Sequence, residues 1–348
     1  MASRSLKNKL SRRVQRVQAI QAYRKQLTVL PYPPLELWVE PTNVCNLACV
    51  MCPNNVQEKD DPSYLSFDLF RKVADECAPF QPLINLHLGG ESTMHPDCMK
   101  MARYASDKGC VVNMATNATM LTRDLSHELI QSGIDMIVFS FDGYDKESYE
   151  SVRLGADFDK VLGNIREFMA VKKRLGATRP YTTFGSLILR ADQSNDEERA
   201  RYAAFHAELK SLGIDEFYLG EAQPGSALFS DDTKHKIRTG GASYIPCPKI
   251  WFSMAVSATG KGVPCCADFY TDYPIGDIRN QTIPEIWNGR EMVELRRKMI
   301  ERDIADVMPC AGGCDVLNPP EDTYYFGLPG ELVPGSLKKL SRLMGMYR

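Results

Sequence analysis

Glu40-Pro41-Thr42-Asn43-Val44-Cys45-Asn46-Leu47-Ala48-Cys49-Val50-Met51-Cys52-Pro53 carries three cysteines spaced C-x-x-x-C-x-x-C, directly after a strand-like stretch, Leu35–Glu40. Three thiolates on one short loop can hold three irons of a 4Fe–4S cluster and leave the fourth iron open. A closed site with four protein ligands moves electrons or stabilises a fold, whereas a site one ligand short can bind a substrate or cofactor. Ferredoxin runs favour C-x-x-C-x-x-C, and zinc sites come as C-x-x-C pairs. Neither matches this spacing, although a structural metal site is the competing reading.

Outward from this loop, strands and helices alternate. Strands are expected at Leu35–Glu40, Ile84–Leu88, Val111–Ala115, Met136–Phe141, Thr182–Leu189 and Glu216–Gly220. Between them lie helical patterns at Asp68–Cys77, Cys98–Lys108, Arg123–Gln131, Phe158–Arg174 and Asp196–Leu212. Six such units predict an α/β fold, a partial (β/α)6 TIM-like barrel over residues 35–239, two units short of a closed barrel. Site residues should then sit at the carboxyl ends of its strands.

Residues 1–34 precede the barrel. Over residues 1–30 there are eight Lys or Arg and no Asp or Glu, and Leu6, Leu10, Val14, Val17, Ile20 and Leu27 recur at helical spacing. This predicts a basic amphipathic helix. It either packs across a barrel end with a solvated basic face or docks on a membrane surface or acidic partner; a transit peptide is a third reading. Pro31-Tyr32-Pro33-Pro34 marks the boundary. From Pro246 the texture becomes rich in Cys, Gly and Pro, which places a second, metal-stapled domain at residues 240–318. A tail over 319–348 ends with Leu337, Leu340 and Leu343 beside Lys338, Lys339 and Arg342, read as a short basic helix on the barrel.

Composition bounds the function. The 348 residues carry a net charge of −2, so there is no global electrostatic case for nucleic acid. No apolar run approaches the roughly 20 residues of a membrane span, and the N-terminal stretch has no signal-peptide hydrophobic region. Of eleven cysteines, eight are grouped at metal spacing, which points to a reducing cytoplasm rather than a disulfide scaffold. Cys77, Cys98 and Cys110 stand apart from those groups and are expected as buried free thiols.

The triad just after a first strand resembles the signature of the radical S-adenosylmethionine (radical SAM) enzymes. In that family the open iron chelates the amino and carboxylate groups of the cofactor's methionine moiety. An electron cleaves the carbon–sulfur bond, and the resulting 5′-deoxyadenosyl radical abstracts hydrogen from an unactivated carbon; the protein orients this chemistry. Gly89-Gly90-Glu91 resembles the motif that contacts the methionine amino group, with Ser92 where Pro is usual. Glycines admit close backbone approach, and a carboxylate accepts from an ammonium. Thr116-Asn117-Ala118 stands where Thr-Asn-Gly is frequent; Asn117 orders the cofactor pocket or caps a turn. Ser140-Phe141-Asp142-Gly143 resembles the family's Ser-x-Asp-Gly, whose hydroxyl and carboxylate suit the ribose. In Tyr149-Glu150-Ser151-Val152-Arg153-Leu154-Gly155, the resemblance implies that Arg153 reaches the methionine carboxylate. Met51 replaces the aromatic residue often found before the third cysteine, leaving its backbone to contact adenine.

The second cysteine set is Cys247, then Gly260 and Cys265 with Cys266 adjacent, then Cys310-Ala311-Gly312-Gly313-Cys314. Its opening resembles the SPASM domain found on many radical SAM enzymes, as do Ile275-Gly276-Asp277-Ile278 and Glu285-Ile286-Trp287-Asn288-Gly289. The downstream array is truncated, similar to the shortened "twitch" form. Cys247, Cys265, Cys310 and Cys314 would close one auxiliary 4Fe–4S cluster, with Cys266 able to replace Cys265. A structural zinc site uses the same four thiolates.

A fully ligated auxiliary cluster suits an electron acceptor or relay. The resemblance therefore implies a radical SAM oxidoreductase that oxidises a secondary alcohol of a carbohydrate or aminocyclitol, fed by an electron donor such as flavodoxin or ferredoxin. Cys266 as a hydrogen donor would instead make an epimerase. A ribosomal-peptide maturase and a non-catalytic iron–sulfur or zinc scaffold complete the alternatives, and the basic N-terminal helix leaves room for a lipid-linked substrate. Among substrate-side groups, Arg190 is the candidate anchor beyond the fifth strand, with Glu221 beyond the sixth. His87, within the second strand, is read as equally open to a structural role.

Overall fold

The structure, a computed structural model, describes residues 6–53, 62–188, 196–221, 244, 246–308, 310–312, 324–325 and 328–329. Arg190, Cys314 and most of the 319–348 tail lie outside the described residues. Strands β1 (Glu36–Val39), β2 (Leu83–Asn85), β3 (Val111–Thr116), β4 (Met136–Ser140), β5 (Tyr181–Ile188) and β6 (Glu216–Glu221) run parallel, each beside the next in sequence. Helices α1 (Leu6–Arg24), α2 (Phe67–Cys77), α3 (Cys98–Asp107), α4 (Arg123–Gln131), α5 (Lys146–Glu150), α6 (Phe158–Arg174) and α7 (Asp196–Ser211) precede and connect them. Sequence periodicity located these strands to within about three residues; the short α5 was not foreseen.

Local chemistry starts the helices where the chain leaves the sheet. Ser66, Thr122 and Asp157 each accept a hydrogen bond from a backbone N–H in the first turn of α2, α4 and α6, and Asp145 forms a capping box on α5. The strands then divide their residues by face. Leu37, Val39, Ile84, Val112, Met114, Ile137, Phe139 and Phe184 are buried in the core. Register places Trp38, Asn85 and Asn113 together on the opposite face, because strand side chains alternate. Cys77, Cys98 and Cys110 are buried, as expected.

The sheet continues past the barrel. After α8 (Lys249–Phe252), β7 (Ser253–Val256) pairs parallel with β1, and β8 (Lys261–Val263) and β9 (Gly276–Asp277) add antiparallel edges. One nine-stranded sheet results, in the order β6-β5-β4-β3-β2-β1-β7-β8-β9. Helices α9 (Ile283–Trp287) and α10 (Arg290–Glu301) close this end. The fold is thus the α/β class expected, a parallel-dominant sheet with connecting helices and a further C-terminal unit.

The N-terminal segment crosses the amino ends of the strands. Arg12 Nη2 donates to Gly109 O just before β3 (3.1 Å), and Tyr23 OH donates to Pro246 O (2.8 Å). Residues 27–32 then strap onto the C-terminal unit. Trp251 Nε1 donates to Leu27 O (2.8 Å), Arg296 Nη1 to Thr28 O (3.0 Å) and Trp287 Nε1 to Tyr32 O (2.8 Å). Asn288 both accepts from Leu30 N and donates to Leu30 O, each at 2.9 Å. Arg296 is fully buried, stacks 4.4 Å from the Trp287 ring, and is pushed down to about 9 by burial. Ala19 and Ala22 are buried, while Val14 and Val17 of the expected aliphatic stripe are exposed. Small residues let α1 lie close beneath the sheet, and Tyr23 anchors it edge-on to Trp251 (ring centroids 5.5 Å).

Candidate active site

The cysteine triad leaves the carboxyl end of β1 as a loop tied on three sides. Thr42 Oγ1 donates to Ser63 O (2.8 Å) and accepts from Val44 N (3.1 Å), while Asn43 Oδ1 accepts from Ser63 N (2.8 Å). Cys52 N donates back to Cys49 O (3.0 Å), closing a turn inside the triad. Ala48 N donates to Leu154 O and Val50 N to Val152 O, both at 2.9 Å. This short backbone pairing sets Arg153 across from Cys49.

The Gly-Gly-Glu turn lies against the same loop. Glu91 N donates to Val44 O (2.9 Å). A Cβ at Gly90 would meet Thr42 O at 2.2 Å and Val44 O at 2.6 Å, so only glycine admits this approach. Glu91 Oε1 accepts from Thr93 N (3.1 Å), Thr93 Oγ1 (2.6 Å) and Thr116 Oγ1 (2.8 Å), and Oε2 accepts from Asn117 N (2.7 Å). Glu91 is therefore a knot joining the ends of β2 and β3. A carboxylate has about four lone-pair sites, so little acceptor capacity is left for an ammonium. Asn117 Nδ2 in turn reaches Asn46 Oδ1 (3.0 Å) and Cys45 Sγ (3.8 Å).

At the end of β4, Asp142 and Arg153 form a buried ion pair, Oδ2 to Nη2 at 2.7 Å. Arg153 Nη1 lies 4.0 Å from Cys49 Sγ. Burial works against the Arg153 charge, but Asp142 and then Cys49 favour it, and its pKa sits above the ordinary value. Burial raises the Cys49 thiol to about 11 against the pull of Arg153, and it raises Cys45 as well. Arg153 Nε and the Tyr149 hydroxyl are buried without a hydrogen-bond partner, so the wall beside Cys49 holds unused donors. Ser140 lies on the strand face opposite the core, half-buried.

Two residues that sequence reasoning passed over complete the frame. Glu40 Oε1 accepts from Gly89 N and Oε2 from Ala258 N, both at 2.9 Å, so one buried carboxylate clamps the ends of β1 and β2 and the turn after β7. Glu40 ends the first expected strand and opens the triad stretch, which was its only signal. Tyr270, four residues past Cys266, donates its hydroxyl to Pro53 O beside Cys52 and so bridges the two cysteine regions.

In the C-terminal unit, Cys247 is buried and Cys265, Cys266 and Cys310 are half-buried. Tyr244 is raised to about 12 by burial and then by Cys247 and Cys310, so those two thiols share its neighbourhood. Cys265 and Cys266 follow β8, and Asp268 N donates back to Cys265 O (3.3 Å).

On the face opposite the core a file of polar groups crosses three strands. Asn85 Nδ2 donates to Glu36 Oε1, and Asn113 Nδ2 donates to Asn85 Oδ1 (2.8 Å). Nearer the triad, His87 Nδ1 accepts from Ala115 N (3.1 Å), and the ring meets Trp38 edge-on (4.9 Å). Burial lowers His87 to about 4, so the imidazole is neutral at physiological pH and carries its proton on Nε2.

The triad fits an iron–sulfur group by donor chemistry. Thiols whose deprotonation burial opposes become stable thiolates when a cation replaces the proton. Among the described residues no three His, Cys, Asp or Glu side chains converge as they would on a single metal ion. A cluster makes no such demand, since each of its irons takes its own thiolate.

Comparison with known proteins agrees with this geometry. Residues 39–188 match the profile of the Radical SAM superfamily, and residues 247–315 match the SPASM iron–sulfur cluster-binding domain. The chain is 30% identical over 321 residues to the AdoMet-dependent heme synthase of Nitratidesulfovibrio vulgaris, covering 79% of this chain and 85% of that relative. It is 29% identical over 191 residues to the tungsten-containing aldehyde ferredoxin oxidoreductase cofactor-modifying protein of Pyrococcus furiosus, covering 54% of this chain. The match spans only 51% of that relative's length. Streptococcus suis SuiB bound to S-adenosylmethionine has a similar fold, with a TM-score of 0.61, 15% identity, and 89% and 76% of the two chains covered.

Proposed function

Since the chain belongs to the radical SAM superfamily and carries a C-terminal SPASM iron–sulfur domain, we propose that it oxidises a secondary alcohol of a carbohydrate or aminocyclitol, with one auxiliary 4Fe–4S cluster accepting an electron. When bound, a 4Fe–4S cluster and S-adenosylmethionine supply a carbon-centred radical that takes a hydrogen atom from substrate. The alcohol then loses one hydrogen atom, one proton and one electron, and its carbinol carbon becomes a ketone.

In this reading Cys45, Cys49 and Cys52 hold the first cluster, and Cys247, Cys265, Cys310 and Cys314 hold the auxiliary one. The Arg153 guanidinium, braced by Asp142, presents its remaining N–H groups to the cofactor carboxylate. The Gly89-Gly90 backbone, Asn117 and Ser140 line the cofactor's other edges. Glu91 acts by fixing these loops. Tyr270 holds the auxiliary cysteine loop against the triad loop.

The observation that carries the substrate class is the polar file of Glu36, Asn85, Asn113 and His87 on the face opposite the core. Amides, a carboxylate and a neutral imidazole suit the many hydroxyls of a small sugar, which can join this hydrogen-bonded file where a large apolar ligand cannot. The similarity to an AdoMet-dependent heme synthase over 79% of this chain favours a second reading, a radical step in making haem from a precursor. Anaerobic reconstitution with iron and sulfide, followed by assay for 5′-deoxyadenosine, separates these. Sugars deuterated at carbinol carbons should pass deuterium into deoxyadenosine and yield a ketone. Conversion of an iron–porphyrin precursor to haem, with no transfer from any sugar, would replace the first reading by the second.

A further inference from the structure

The outward face of α1 is aliphatic and basic together. Val14 and Val17 are 51% and 53% exposed, and Arg13, Arg16, Arg24 and Lys25 around them are exposed too. Just past the helix, Val29 is 61% exposed. The helix is already docked beneath the sheet through Ala19, Ala22 and Tyr23, so packing leaves this second face over. Scattered exposed apolar residues are ordinary. Paired β-branched residues one helical turn apart, set among cations, are the pattern of a helix lying in a lipid interface.

We propose that this face of α1 docks reversibly on an anionic membrane surface. Charge argues for the occupant. Residues 1–30 hold eight cations and no anion in a chain of net charge −2, so the remainder is net acidic. An anionic surface would attract α1 and repel the rest, which fixes the orientation as well as the affinity. The exposed residues also lack the tryptophan and tyrosine anchors that dominate protein–protein hot spots. Arg12 and Tyr23 tie the helix to the amino ends of the strands, whereas the cysteine triad leaves the carboxyl end of β1. Docking through α1 thus turns the cysteine loop toward solution. The contact holds the protein at a surface without feeding lipid into the site.

The test uses the full chain and co-sedimentation with vesicles. Vesicles of phosphatidylcholine with about 30% phosphatidylglycerol should retain the protein at about 0.1 M salt, while pure phosphatidylcholine should not; about 0.5 M salt should release it. The triple variant Arg13→Glu, Arg16→Glu, Arg24→Glu should weaken retention roughly tenfold or more, and Val14→Ser with Val17→Ser should weaken it by a smaller factor. All these positions are exposed, so thermal melts and S-adenosylmethionine cleavage should match the parent. Equal retention on neutral vesicles, or an unchanged triple variant, overturns the proposal. Retention on polyglutamate resin with none on anionic vesicles overturns it in favour of an acidic protein partner.

Discussion

Ala118 holds a φ of 60°, a left-handed conformation that costs a residue with a Cβ about 1 kcal/mol. The family pattern places glycine there, and the backbone explains why. Ala118→Gly should raise the urea midpoint by the equivalent of up to about 1 kcal/mol, less the extra entropy glycine gives the unfolded chain. A lowered midpoint would contradict this. His87 makes a different prediction. Its pKa is about 4 in the fold against an ordinary 6.5. Between those values the unfolded chain binds a proton that the folded chain does not, so stability falls as pH drops from 6.5 to about 4 and then levels. The loss is on the order of 3 kcal/mol. His87→Gln should flatten that part of the curve of urea midpoint against pH; a slope that persists would assign it to other groups. The sequence marked both positions, Ala118 as a departure from a motif and His87 as ambiguous. The φ and the imidazole's surroundings needed the assembled loops.

The triad loop works as an element through the turns packed on it. The ends of β1, β2 and β3 are bound together by Glu40 and Glu91, two buried carboxylates that accept from backbone N–H groups of neighbouring loops. Gly90 lets the second turn rest on Thr42 and Val44. Gly90→Ala would drive a Cβ into backbone atoms, which cannot yield as a side-chain tip can. The two turns must part, and iron retained after anaerobic reconstitution should fall to roughly half or less of the parent's, with the three cysteines still present. Full iron loading in that variant would show that the triad does not depend on this contact. Gly89-Gly90-Glu91 was legible as a motif because glycine before a carboxylate at a strand end is a local pattern. Its role as a loop clamp was not, because the donors to Glu91 come from Thr93, Thr116 and Asn117 on two separate segments.

At the scale of the whole molecule, the sheet and the N-terminal strap make the barrel and the C-terminal unit one framework. β7 pairs with β1, Tyr270 reaches Pro53, and residues 27–32 bind Trp251, Trp287, Asn288 and Arg296. Asn288→Ala removes both hydrogen bonds to Leu30 and should cost about 1–3 kcal/mol. Trypsin should then cut faster at exposed Arg24 and Lys25, with cleavage deeper in the sheet unchanged; identical cleavage kinetics would show that the strap does not rest on Asn288. Among the described residues no helix is long and apolar enough to cross a membrane. The alternation of strands and helices, the two cysteine groups and the turns at the strand ends were all readable from the chain, because hydrophobic period and loop chemistry are written in neighbouring residues. Arg153 opposite Cys49, the tie from Tyr270 to the triad loop, and the choice of Ala19 and Ala22 over Val14 and Val17 as the buried face of α1 were decided only by the fold. Each depends on which distant surfaces meet, and no local pattern encodes that choice.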